Sequence, residues 1–204
     1  MLSEGCVLKR LRKWVRRLGS GVMVRFLLII VGILGCAGCE SPPHQHHALR
    51  GSQGEVSVFV FTSVDCPIAN AMAPQLQRTF EIARERGVRT YLVYPREGLT
   101  LDVITAHAND YQLDAVVVAD PEKRLVIDLG ATVTPEGVVV EHLAGDGYEI
   151  RYRGRLNDLY PSIGNRRDQV SSHDFRNAIL AVRENRAVAD PVVPAVGCMI
   201  ERAP

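Results

Sequence analysis

The sequence predicts an α/β fold, a mixed central sheet flanked by helices and finished by a C-terminal β-hairpin and a last helix. Three observations carry this. Short β-branched runs alternate with segments of helical periodicity from Val56 to Leu129. Two further strand-like runs then flank the glycine turn Gly145-Asp146-Gly147. A closing amphipathic segment spans 172–185.

The elements follow in order. Val56 to Thr62, VSVFVFT, is short, β-branched and almost wholly apolar, which suits a strand buried on both faces. Ser63-Val64-Asp65-Cys66-Pro67 breaks it. A helix is predicted over 68–86, with Ala71, Met72, Leu76, Phe80 and Ala83 at helical spacing, Pro67 in its first turn and Gly87 as its stop. A second strand spans 88–94. A helix spans 101–111, with Thr100 as its cap. A third strand spans 115–119, and a further helix 121–129. The hairpin pairs 138–141 with 148–153. The last helix starts at Ser172, predicted as its cap. No internal repeat and no second domain are visible.

The chain divides into a signal peptide with a lipobox over 1–39, a flexible tether over 40–54, the domain over 55–187 and a C-terminal tail over 188–204. Net charge is +1 over 204 residues, but it is unevenly spread. Lys9, Arg10, Arg12, Lys13, Arg16, Arg17 and Arg25 crowd the N-terminal segment, with only Glu4 opposing them. The remainder is mildly acidic, so no basic face for nucleic acid is expected. The basic segment runs into VMVRFLLIIVGIL, too short for a comfortable membrane span, which takes about 20 residues. Met23 is an alternative start. Gly35-Cys36-Ala37-Gly38-Cys39 resembles a bacterial lipobox, and either Cys36 or Cys39 fits as the lipidated residue. Export and a lipid anchor facing the periplasm or cell exterior are the expectation. The His44-Gln45-His46-His47 cluster reads as polar linker, because no partner ligand sits at a defined spacing.

From about Val56 to Asn185 the chain resembles the thioredoxin-like superfamily, and within it the redoxin branch that includes peroxiredoxins. FTSVDCP carries the resemblance first: a buried strand ends and Cys66 opens a helix. Gly130-Ala131-Thr132-Val133-Thr134-Pro135-Glu136 resembles the cis-proline turn that faces the active cysteine. Tyr152-Arg153-Gly154-Arg155 is similar to YxGR segments of exported redoxins. The chain also departs from each subfamily. A CxxC motif would place its second cysteine at Ala69, and a CxxxC motif at Asn70. The Pro and Thr of the peroxiredoxin pattern are replaced by Phe59 and Ser63.

A thiolate is the reactive form of cysteine, and a helix N-terminus stabilises it. Cys66 is therefore the expected nucleophile. The resemblance implies an arginine partner, for which Arg151, Arg153 and Arg155 are candidates, with Arg153 and Arg155 preferred. Ser63 can offer a hydroxyl to the sulfur. Thr134, Pro135 and Pro67 line the expected substrate groove, where the backbone of Thr134 would pair with an extended substrate. Cys198 is the second sulfur: a resolving thiol, a permanent staple or a soft metal ligand. His107, His142 and His173 are weaker candidates.

Three functions remain open at this point. One is a thiol-dependent oxidoreductase, peroxiredoxin-like, with antioxidant activity and an external thiol or disulfide as partner; it calls for no cofactor and no resident metal. The second is a Cu(I)-binding module. The third is a non-catalytic scaffold binding partner chains. Fold alone does not choose among them.

Overall fold

The computed structural model describes residues 46–201. The expected signal peptide over 1–39, with Cys36 and Cys39, and His44 lie outside the described residues. Among those described, no helix is long and apolar enough to cross a membrane.

The strands are β1 (Val56–Phe61), β2 (Arg89–Tyr94), β3 (Val116–Ala119), β4 (Val133–Thr134), β5 (Glu136–His142), β6 (Tyr148–Gly154), β7 (Val192–Val193) and β8 (Cys198–Met199). The helices are α1 (Pro67–Glu85), α2 (Leu101–Asp110), α3 (Arg124–Leu129) and α4 (Asp174–Arg183). Six strands form one sheet in the order β3-β2-β1-β5-β6-β7, and β4 pairs with β8 apart from it. β1, β2 and β3 run parallel, as helical crossovers require. β5 lies antiparallel between β1 and β6. This mixed sheet is the thioredoxin-like arrangement expected from the order of the elements.

Every residue of β1 is buried, because helices cover both of its faces. On one face Val58 and Val60 join Leu76 and Phe80 of α1, Ile104 of α2 and Phe175 and Ile179 of α4. On the other, Phe59 and Phe61 join Leu125 and Leu129 of α3. A fully buried side chain of this size contributes about 1.5–3 kcal/mol. The loop that follows β1 therefore stands on a strand fixed by the core on both faces.

The differences from expectation have local causes. The short helix α3 begins at Arg124, not at residue 121. The Asp120 carboxylate accepts from the Arg124 and Val126 N–H groups, and Lys123 takes a left-handed conformation before them. Ser172 does not cap α4. Asp158 takes its N–H, its hydroxyl turns to Asp174, and His173 stands at the cap position without a side-chain bond. β5 begins at Glu136 because it pairs with β1 along the whole of that strand. Within 46–54, a single 3₁₀ turn buries Ala48 and Leu49 in the core, while Ser52, Gln53 and Gly54 are exposed. The expected tail also returns to the domain. β7 pairs with β6 beside Gly154, where a Cβ would lie 2.0 Å from the Val193 carbonyl oxygen.

Candidate active site

The loop after β1 and the turn around β4 meet at the end of the two central strands, where Phe61 of β1 stands opposite Glu136 of β5. Cys66 is the N-cap residue of α1, with extended backbone and Pro67 as the first, exposed helical residue. Its carbonyl accepts the first helical bond, from Asn70 at 3.0 Å. Facing it, the Thr134–Pro135 peptide is cis and both residues are buried. The Cys66 thiol donates to the Thr134 carbonyl at 3.0 Å.

Cys198 completes the group. β8 lies antiparallel to β4 with Cys198 opposite Thr134, and the Ile200 N–H donates to the Thr132 carbonyl at 3.0 Å. This places the Cys198 thiol 2.9 Å from Cys66 Sγ, as donor to it. The approach depends on Gly197, where a Cβ would lie 2.1 Å from the Thr134 carbonyl oxygen. The edge expected to receive a substrate strand is thus occupied by the chain's own β8.

The two sulfurs differ electrically. Burial pushes the Cys66 thiol up, but bonds from the Cys198 thiol, the Ala69 N–H and the Thr134 side chain outweigh it, and the net shift is downward. Burial, the adjoining Cys66 sulfur and the Asp65 carboxylate push Cys198 up to about 11. Cys66 is buried and Cys198 is exposed.

Arg153 and Arg155 do not meet the sulfur. Arg155 donates to both carboxylate oxygens of Asp174, at 2.8 and 3.3 Å. Arg153 stands 3.9 Å from Glu136. The physical reason is that buried or half-buried acids from β5 and α4 outcompete a thiol for a guanidinium. Arg151 pairs with Glu141. Ser63 also turns away from the sulfur and donates to Asp65. The arginine that reaches the site loop is Arg96, paired with Asp65. The hydroxyl of Ser63, joined by Arg96, holds the Asp65 carboxyl below its usual range. Arg96 is legible in principle: β2 is the parallel neighbour of β1, so residues just past its end stand beside those just past β1.

Glu136 is a second residue that pattern reading misses. Its buried carboxylate accepts from the Thr132 and Val133 N–H groups at 2.6 and 3.3 Å, bracing the cis-proline turn. Two of the candidate histidines have structural partners. His107 bridges the Tyr94 hydroxyl and the Asn70 side chain, and His142 bonds Ser57 at 2.8 Å. Among the described residues, no three His, Cys, Asp or Glu side chains gather as a metal site.

A cleft of about 490 Å³ opens beside Cys198, lined by Asp65, Arg96, Lys123, Thr134 and Met199 among others. Asp65–Arg96 and Glu97–Lys123 ion pairs frame it, so it carries charge of both signs.

No family model matches the chain, and no curated protein matches it. Solved structures do. A hypothetical protein from Sinorhizobium meliloti 1021 is 20% identical with a TM-score of 0.63, covering 74% of this chain and 81% of its own. An uncharacterised conserved protein from Geobacillus kaustophilus is 20% identical with a TM-score of 0.63, covering 74% and 79%. More distantly, with a TM-score of 0.42 and 18% identity, the chain is similar to a secreted Mycobacterium tuberculosis disulfide oxidoreductase homologous to E. coli DsbE, over 63% of this chain and 83% of that one. The fold of this chain is thioredoxin-like, and its chemistry rests on its own residues.

Proposed function

We propose that the protein is a thiol–disulfide oxidoreductase in which Cys66 and Cys198 cycle between dithiol and disulfide. One observation carries the reading: the two sulfurs touch, 2.9 Å apart, across the cis-proline turn. A pair at this distance joins with small movement, since a disulfide needs roughly 2.05 Å. Joining them releases two electrons and two protons to an external disulfide, whose two sulfurs leave as thiols. Reduction by an external dithiol reverses this. The cysteines thus do the work of a CxxC pair with the second sulfur supplied from β8.

This reading is favoured over peroxide reduction on two grounds. A peroxide needs a free polarising cation near the thiolate, and Arg153, Arg155 and, at the site loop, Arg96 are each paired with an acid. A buried Cys66 under Cys198 also leaves no open face for a peroxide. The setting we propose is outside the cytoplasm, on a lipid carried by Cys36 or Cys39. The charged and apolar order of the N-terminal segment supports it, and the oxidising compartment suits a disulfide cycle.

Peptide mapping of the full chain after incubation with oxidised glutathione tests the pairing. A Cys66–Cys198 disulfide that turns over a peptide dithiol, and is lost in Cys66→Ser and in Cys198→Ser, is the expected result. Faster formation of sulfenic acid at Cys66 by hydrogen peroxide would instead favour a peroxidase. Incorporation of labelled fatty acid, lost in Cys39→Ala or in Cys36→Ala, tests the anchor.

A further inference from the structure

Access decides which sulfur meets the substrate. Cys66 is 1% exposed and lies beneath Cys198. Its other neighbour is the Thr134 carbonyl, and the strand edge leading to that carbonyl is taken by β8. A partner chain therefore has no route to Cys66 while β8 is paired. Cys198 is exposed and opens directly on the cleft framed by Asp65, Arg96 and Lys123.

Resting on the dithiol–disulfide reading above, we propose that Cys198, not Cys66, is the sulfur that exchanges with the substrate, and that the substrate is a dithiol which the Cys66–Cys198 disulfide oxidises. This reverses the order expected from a cysteine at a helix N-terminus. A substrate thiolate in the cleft attacks Cys198 Sγ. The bond between Cys198 and Cys66 breaks, and its electron pair passes to Cys66 Sγ. The second substrate thiol loses its proton to water and attacks the substrate sulfur of the mixed disulfide. The substrate disulfide forms, and Cys198 departs and takes up a proton. The protein has gained two electrons and the substrate has lost two. A disulfide on a partner re-oxidises the pair by the same steps in reverse.

The direction follows from where charge is stable. Cys66 leaves at the N-cap of a helix of 19 residues, where the unpaired N–H groups of the first turn and the helix dipole favour an anion. A sulfur with depressed pKa departs faster. Cys198 has no comparable support, so attack on Cys198, which expels Cys66 and leaves the mixed disulfide on Cys198, is the attack with the better leaving group. Held as an anion, Cys66 favours the reduced protein and so makes the disulfide more oxidising than a pair without that support.

The oxidised full chain is mixed with reduced glutathione, quenched in acid at early times, alkylated with N-ethylmaleimide and mapped by peptide mass. Glutathione on the Cys198 peptide with maleimide on the Cys66 peptide is the expected result. Glutathione on Cys66 with maleimide on Cys198 overturns the assignment. Where the wild-type adduct collapses before quenching, the single-cysteine comparison decides. Cys66→Ser takes glutathione from oxidised glutathione onto Cys198 at least about tenfold faster than Cys198→Ser takes it onto Cys66. The reverse order overturns the proposal. Failure of the oxidised chain to contain any Cys66–Cys198 bond defeats the dithiol–disulfide reading itself, a result distinct from glutathione found on the wrong cysteine.

Discussion

Cys66 and Cys198 are held by unlike structures. Cys66 follows a strand of six residues, all buried, and caps a helix of 19. Cys198 sits in a strand of two exposed residues joined to another strand of two. The first sulfur is fixed by the core. The second is fixed by a few backbone hydrogen bonds and one glycine, so separating it from its partner takes local opening only. A reaction that must bring in a substrate and release it belongs on the lightly held side.

The largest effect that breaks this comparison is loss of either sulfur. Cys66→Ser and Cys198→Ser are each expected to lower dithiol oxidation by about a thousandfold or more, read as turnover of a peptide dithiol. Equal loss in both shows that they act as one unit.

Gly197→Ala comes next. Its methyl group would meet the Thr134 backbone, and β8 has to shift. Oxidation of the pair is expected to slow by at least about tenfold, while the domain loses only about 1–3 kcal/mol in denaturant unfolding. Loss of the whole fold would show that β8 belongs to the core.

Cys198→Ala sharpens the electrical half. It removes the thiol that donates to Cys66, so the pKa of Cys66 rises, read by alkylation rate against pH. Cys198→Ser keeps a donor and raises it less. In the reduced wild type the depressed pKa of Cys66 contributes stability that is fully present above the unfolded thiol pKa. That contribution is lost as pH falls through the folded value. Cys198→Ala narrows this window.

The smallest effects concern the charged neighbours. Asp65→Asn lowers the pKa of Cys198, whose anion Asp65 opposes. Arg155→Ala leaves both thiol pKa values in place and costs about 1 kcal/mol through the lost Asp174 pair. A large loss of activity in Arg155→Ala would restore it to the site.

The elements that bury both faces are legible in the order of the residues. VSVFVFT leaves no choice but a central strand, and the Cys-Pro that breaks it sets the helix start. Thr134-Pro135 is legible from the glycine, threonine and proline around it. What escapes pattern reading has two physical sources. A strand of two residues has no period, so β7 and β8 look like tail, and their pairing is with residues far away in the chain. The partners of Arg153 and Arg155 come from β5 and α4, and alternation along β6 says which face an arginine takes but not which acid waits there. Arg96 escapes because its role depends on β2 lying beside β1.

Cys66 and Cys198 stand 132 residues apart in the chain. A bond between them closes most of the domain into one covalent ring. The entropy removed from the unfolded ring is worth about 5 kcal/mol to the oxidised form, by the loop-length relation. The anion held at Cys66 pulls the other way, toward the reduced form. Redox state and folding stability are therefore linked quantities in this molecule, and each can be read from the other. If the reduced chain unfolds at a higher denaturant concentration than the oxidised one, the anion outweighs the ring, and heat or urea alone reports which way electrons run.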